Sequence, residues 1–104
     1  MIVVTTEAIH GRDISETLGL AKGSVVRAKH IGSDIVASLR NLVGGEVVEY
    51  AQLLAAAREQ ALDRMIEDAR QMGGDAIVGM RMTTSQIMGG ASEVMAYGTV
   101  VRLA

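Results

Sequence analysis

One long amphipathic stretch constrains the fold of this chain more than any other feature. It covers residues 46–72 and lies between the glycine pairs Gly44-Gly45 and Gly73-Gly74. Apolar residues recur along it at helical spacing, namely Tyr50, Leu53, Leu54, Ala57, Ala61, Met65, Ala69 and Met72. Glu46 suits the positive end of a helix dipole, and Gly73 suits the left-handed residue that ends a helix. The pattern predicts a helix of about 40 Å at 1.5 Å per residue.

A helix of that length exceeds the dimensions expected for a compact domain. A chain of 104 residues has a compact radius of gyration of about 13 Å, and hence a diameter of roughly 34 Å. A second apolar set follows an adjoining helix face: Val47, Ala51, Ala55, Leu62 and Ile66. Hydrophobic residues form 49% of the chain, which is high for so small a domain. We therefore expect neighbouring copies of the chain to cover the excess apolar surface.

The remaining segments predict a sheet and a second, short helix. Strands are predicted over residues 2–5, 13–20 and 24–31, with a bulge or bend at Gly19 and Gly23. Residues 76–84 and 93–103 predict a C-terminal hairpin joined by a loop over residues 85–92. In the first of these strands, Val78, Met80 and Met82 are predicted to share one face. Ser33 or Asp34 can cap a short helix that ends at Gly44-Gly45.

These elements predict a single α+β domain over residues 1–104. Its antiparallel-type sheet would consist of the N-terminal strands and the C-terminal hairpin, packed with one short and one long helix. A net charge of −2 and only 2% aromatic residues argue against a nucleic-acid partner. No apolar run reaches membrane-spanning length, and the first residues lack a secretory pattern. For these reasons the chain is not expected to interact with a membrane. The lack of cysteine also fits a reducing compartment, and the chain is expected to be cytoplasmic.

Candidate metal ligands are few. The chain has two histidines, His10 and His30, and their spacing matches no metal-binding motif. Local hydrogen bonding is the favoured interpretation for both, although symmetry in an oligomer could gather copies of either around an axis. The methionines of the C-terminal hairpin (Met80, Met82, Met88 and Met95) are soft donors that suit Cu(I), but core packing is favoured. The carboxylates of Glu59, Asp63 and Glu67 share one helix face, for which a solvated face is the favoured interpretation.

The junction before the long helix is a candidate anion site. Gly44 and Gly45 leave backbone amides free at a helix N-terminus, and Arg40 lies one turn upstream. No phosphate-loop or dinucleotide motif surrounds them, so a turn between two helices is the favoured interpretation. An anion or small molecule bound here at a subunit boundary is the alternative. No catalytic arrangement is recognisable in the sequence, and we expect no enzymatic activity and no resident cofactor.

Several sequence blocks resemble the YbjQ-like family of small bacterial proteins. In chain order the blocks are Gly23-Ser24-Val25-Val26, Asp34-Ile35, Leu39-Arg40-Asn41, Gly44-Gly45-Glu46, Tyr50, Leu53-Leu54, Ala57-Arg58, Ala61, Met65, Gly74-Asp75-Ala76-Ile77-Val78-Gly79 and Tyr97-Gly98-Thr99. The resemblance covers nearly the whole chain. It implies small α+β subunits that assemble into rings, chiefly pentamers, in the manner of dodecin subunits, and it carries a heavy-metal-binding label. The absence of cysteine weakens that label here, and Ser33 stands where the family pattern leads us to expect a basic residue.

From the residues and the resemblance together, we expect a non-enzymatic homo-oligomer in which copies of this chain bind one another and form a pentameric ring. A heavy-metal-binding module with its site at subunit interfaces, formed by His10 and His30, is one alternative. Binding of a small molecule or anion at a subunit boundary, by Arg40, Gly44 and Gly45, is the other.

Overall fold

A computed structural model describes the backbone of residues 1–28 and 45–104, and the side chains of the same residues except 45–49. In chain order its elements are β1 (Ile2–Val3), β2 (Ile14–Ala28), α1 (Gly45–Gln71), β3 (Ala76–Met88) and β4 (Ala91–Leu103). The four strands form one sheet in the order β1-β3-β4-β2. The α+β prediction is confirmed, and the predicted short helix over residues 33–43 lies outside the described residues.

The sheet is mixed rather than antiparallel throughout. Strand β4 pairs antiparallel with both β2 and β3, whereas β1 pairs parallel with β3, Ile2 opposite Ala76. The antiparallel-type prediction is therefore wrong at β1. The cause is topological, because β1 occupies the edge beside β3 and has no hairpin connection to it.

Strand β2 is continuous where the sequence predicted two strands. Its pairing with β4 shifts register between Ile14 and Glu16 and again between Thr17 and Gly19, and Gly19 has a φ of 138°. The irregularity predicted at Gly19 is confirmed. The bulge or bend predicted at Gly23 is wrong, because pairing with β4 is regular there and Gly23 permits close packing instead. A Cβ there would lie 2.4 Å from the Ala61 carbonyl oxygen and 2.4 Å from the Met65 amide nitrogen.

Helix α1 packs on β2 and β4 through the stripe that the sequence predicts. Ala57, Ala61, Met65 and Ala69 follow at intervals of four and are fully buried. Their partners in the core include Ala21, Val25, Val94, Ala96 and Val100. The helix ends in a Schellman motif: Gly73 has a φ of 80°, the Gly74 amide donates to the Ala69 carbonyl at 3.1 Å, and the Gly73 amide donates to the Arg70 carbonyl at 3.0 Å.

The helix is not too long for its own subunit. The Cα atoms span principal extents of 57 × 22 × 16 Å, so the compact diameter expected from chain length is wrong. Long strands provide the matching length, because the 15 residues of β2 cover about 50 Å at 3.3 Å per residue. Leu62 and Ile66 of the second helical stripe pack against the same core. Within residues 50–104 and 1–28, the exposed large apolar side chains lie outside α1.

The C-terminal hairpin is longer and tighter than predicted. Strands β3 and β4 pair as far as Met88 opposite Ala91, and Gly90 takes a φ of 79° in the turn. The loop predicted over residues 85–92 is wrong, since Ser85 pairs with Glu93 and Gln86 with Ser92. Pairing with β4 overrides the weak strand preference of these polar residues.

A register shift in β3 redistributes its side chains between the two faces of the sheet. The shift lies between Val78 and Arg81, where Gly79 has a φ of 62°. Met80 and Met82 pack with the core beneath α1, whereas Val78 packs on the opposite face with Ala76 and Val101. The prediction that Val78 shares a face with Met80 and Met82 is therefore wrong, because the extra residue reverses the alternation.

Candidate functional site

The predicted metal ligands are only partly within the described structure. His10 lies in an exposed turn between Ile9 and Arg12, which form an isolated antiparallel bridge. His30 lies outside the described residues. Among the side chains of residues 1–28 and 50–104, no three His, Cys, Asp or Glu side chains are grouped closely enough to hold a metal ion. A site at His10 and His30 stays a prediction that concerns the assembled protein.

The predicted anion site is also largely outside the described part of the chain. Arg40 and Gly44 belong to the undescribed segment, and Gly45 is the first residue of α1. An anion site at these three residues therefore stays a prediction.

The hairpin methionines and the helix carboxylates are dispersed. Met80 and Met82 pack against the core, Met95 is half-buried, and Met88 is 57% exposed. The positions of Met80 and Met82 agree with core packing. On the helix, Glu59, Asp63 and Glu67 are exposed, as a solvated face requires. Glu67 is 3.7 Å from Arg70 in an exposed ion pair of the i,i+3 type, which contributes little stability.

Side chains of α1 cover part of the outer edge of β2. The Asp68 carboxylate accepts a hydrogen bond from the Lys22 amide at 3.0 Å, and Arg64 donates to the Ser24 carbonyl at 2.6 Å. Lys22 and Asp68 also line a shallow cleft of about 330 Å³. Because free amides and carbonyls on an edge strand attract other strands, these two bonds protect β2 from further pairing here.

The face of the sheet opposite α1 carries a cleft and an apolar patch. The cleft has a volume of about 390 Å³ and is lined by Glu7, Ile14, Thr17, Val78, Gly79, Arg81, Thr99 and Val101. We call it the Arg81 cleft. On the same face, Leu20 is 59% and Val26 53% exposed. Their alternation with the buried Ala21 and Val25 places them opposite α1, where the described residues leave them uncovered.

Arg81 is held in a defined orientation beside the cleft. Its Nη1 donates to the Thr5 carbonyl at 2.9 Å and to the Met80 carbonyl at 2.8 Å. Sequence reasoning missed this site because its lining comes from four separate segments. The available signal was Arg81 itself, the one charged residue among residues 76–84.

Comparison with known proteins places the chain among close relatives. A family model described as "putative heavy-metal-binding", the YbjQ model, matches residues 1–104. A UPF0145 protein of Methanosarcina acetivorans is 52% identical over 103 residues, covering 99% of this chain and 97% of the relative. A UPF0145 protein of Halobacterium salinarum is 55% identical over 104 residues, covering 100% of both chains. Since these two relatives are archaeal, the expectation of a bacterial family is too narrow.

A solved structure has the same fold. It is a crystal structure of a protein with unknown function from Pediococcus pentosaceus, assigned to the DUF74 family. The TM-score is 0.69 at 17% identity, with 100% of this chain and 98% of that chain covered. The described helix α1 is not long and apolar enough to cross a membrane. From the full-length match and the close relatives, the chain belongs to the YbjQ-like family of UPF0145 proteins.

Proposed function

We propose that this chain is the subunit of a closed homo-oligomeric ring, a pentamer, and that it acts through this assembly rather than through catalysis of its own. The observation that supports the proposal best is the uncovered face of the sheet. Leu20 and Val26 are each more than half exposed there, and Met95 and Tyr97 are half-buried on the same face. Full burial of a Leu or Val side chain stabilises a protein by about 1.5–3 kcal/mol. A neighbouring copy would provide that burial.

The two edges of the sheet differ, and this difference favours a directional contact. The β2 edge is covered at Lys22 and Ser24 by helix side chains. At the other edge, β1 pairs with β3 at Ala76 and Ile77 and the residues after β1 hydrogen-bond to β3 as far as Met80, whereas β3 continues to Met88. Contact between one surface of a subunit and a different surface of the next is heterologous, and such contacts form rings when the rotation closes.

The mass of the assembly tests this proposal. Native mass spectrometry at micromolar concentration should give about five times the 11.0 kDa subunit mass. The double variant Leu20→Lys/Val26→Lys should lower that mass, because two charges cannot be buried without partners. Gln52→Lys/Gln71→Lys, which adds the same charge to exposed polar positions of α1, is the matched control and should leave the mass unchanged. A parent protein that is monomeric at this concentration contradicts the proposal.

A second candidate function is metal binding at the subunit interfaces of such a ring. It is supported by the family description and by the exposed turn position of His10, which leaves its imidazole accessible to donors from a neighbouring copy. Imidazole suits Zn²⁺ and Ni²⁺, and thioethers suit Cu(I).

Calorimetric titration of the assembled protein with Zn²⁺, Ni²⁺ and Cu(I) tests this candidate. Saturable heat with one ion, lost in His10→Ala/His30→Ala, is the supporting result for the histidines. Heat with Cu(I) that is lost when Met88 and Met95 are replaced by Leu assigns the site to the methionines. Parent protein that gives no saturable heat with any of the three ions rules metal binding out.

A further inference from the structure

We propose that the Arg81 cleft binds a free α-amino acid with a short aliphatic side chain. The cleft lies on different residues from the predicted anion site at Arg40, Gly44 and Gly45, and its lining residues differ from those of the proposed contact between copies. Its volume of about 390 Å³ is at the lower end of the range of about 300–1,000 Å³ that small-molecule sites occupy.

Arg81 provides the group that would bind the carboxylate. A guanidinium has five N–H donors, and the two on Nη1 are engaged by the Thr5 and Met80 carbonyls. The three donors on Nε and Nη2 have no partner among the described residues. Two parallel donors of this kind match the two oxygens of a carboxylate. Because Nη1 is already fixed, little side-chain entropy would be lost on binding.

Glu7 provides the opposite charge in the same cleft. Its carboxylate makes no hydrogen bond or ion pair with any described residue, and it does not approach Arg81 within ion-pair distance, although both line the cleft. A cation and an anion that share a cleft without contacting each other leave a space between them. A molecule that carries an ammonium and a carboxylate group on adjacent atoms can interact with both charges at once.

The floor of the cleft sets the size and polarity of the remaining group. Val78 and Val101 are buried side chains of the small apolar cluster on this face, and Ile14 is 38% exposed at its rim. The hydroxyl-bearing residues Thr17 and Thr99 also line the cleft, and each hydroxyl can donate or accept a hydrogen bond. The lining therefore combines three aliphatic side chains with polar groups, and the aliphatic part suits a short branched side chain.

The test compares one zwitterion with two analogues that each lack one charge. L-valine is the probe, isovalerate lacks the ammonium group, and isobutylamine lacks the carboxylate. Each is titrated at millimolar concentration into the ¹⁵N-labelled full chain, and amide shifts are followed by NMR. We expect saturable shifts at Gly79 and Thr99 with L-valine, and binding weaker by about tenfold or more for each analogue, because each loses one charge-assisted contact.

Two variants assign the charges separately. Glu7→Gln should remove the preference for L-valine over isovalerate, and Arg81→Gln should remove the preference for L-valine over isobutylamine. Arg58→Gln and Glu59→Gln change the same charges at exposed positions of α1 and should leave all affinities unchanged. If Arg81→Gln releases the N-terminal segment, seen as lost amide dispersion, then Glu7→Gln and Thr99→Val carry the test.

Three results would overturn the proposal. The first is an absence of saturable shifts with L-valine. The second is equal affinity for L-valine and both analogues, which indicates apolar contact only. The third is L-valine binding that neither Glu7→Gln nor Thr99→Val weakens, which places the ligand elsewhere. Since affinity is measured independently of mass, none of these results bears on the ring.

Discussion

Gly23 is a point of close approach between α1 and β2, and replacing it with alanine should separate them locally. The added Cβ would lie 2.4 Å from both the Ala61 carbonyl oxygen and the Met65 amide nitrogen, and 2.7 Å from the Cβ of Arg64. Two of these three atoms belong to the helix backbone, so no side-chain rotation can relieve the overlap. Ordinary contact begins at 3.4 Å, and the helix must therefore move locally by about 1 Å.

The expected loss of stability follows from that movement. A gap of 0.5–1 Å forfeits about a quarter to a half of each van der Waals contact. If the packing lost is equivalent to that of one buried leucine side chain, about 50 atom pairs at ~0.15 kcal/mol each, the loss is about 2–4 kcal/mol. Replacing glycine with alanine restricts the unfolded chain and offsets about 0.4–1 kcal/mol. The net decrease in the free energy of unfolding is about 2 kcal/mol, which lowers Tm by roughly 8–16 °C.

Urea and thermal unfolding followed by far-UV circular dichroism measure this effect, with every sample at the same protein concentration because assembly couples to stability. Gly89→Ala is the matched control: a Cβ at Gly89 meets nothing within 4 Å, and its φ is not positive. It should change the free energy of unfolding by less than about 0.5 kcal/mol. Equal stability of Gly23→Ala and Gly89→Ala would refute the reasoning.

Three further outcomes follow from the same contacts. Gly73→Ala should reduce stability by about 1–2 kcal/mol in urea unfolding, because its φ of 80° is left-handed; Gly73→Asn should recover part of that loss, and full stability of the alanine variant would contradict the role of the Schellman motif. Asp68→Ala should accelerate hydrogen exchange at the Lys22 amide, whose acceptor it removes, while Glu67→Ala should not; equal exchange in both variants would show that Asp68 does not protect the β2 edge. Met65→Ala should cost about 2–5 kcal/mol in thermal unfolding, because Met65 is fully buried, and a loss below about 1 kcal/mol would indicate that the core collapses around the cavity.

The helix could be predicted from sequence because its signals are local. Ala57, Ala61 and Met65 recur at intervals of four, and Gly73 marks the end, so the whole element follows from one period and one residue. The surface that buries the apolar side of the helix could not be predicted in the same way. The compact diameter expected from chain length does not apply, because β2 is 15 residues long and is at least as long as the helix. The exposed apolar surface is consequently on strands, at Leu20 and Val26.

The hairpin and the Arg81 cleft depend on pairing between distant residues. Residues 85–92 resemble a loop because they contain Ser85, Gln86, Ser92 and two glycines, and only the pairing of residues 85–88 with residues 91–93 makes them strand. Likewise, no spacing in the sequence connects Glu7 with Thr17, Arg81 and Thr99. They line one cleft because β2, β4 and β3 are neighbours in the sheet and the N-terminal segment runs alongside β3.

The register shift at Gly79 has a consequence for chain length within the family. Between Val78 and Arg81 the chain advances three positions, whereas β4 advances two between Thr99 and Tyr97. Deleting one residue here would remove the extra position and restore regular alternation, with Met82 still in the core and with Val78 and Arg81 still on one face. A one-residue gap elsewhere in β3 would instead exchange the two faces for every position on one side of it. Homologues with the same fold should therefore place a one-residue gap in β3 between Val78 and Arg81, the part of the strand that is most free to change length.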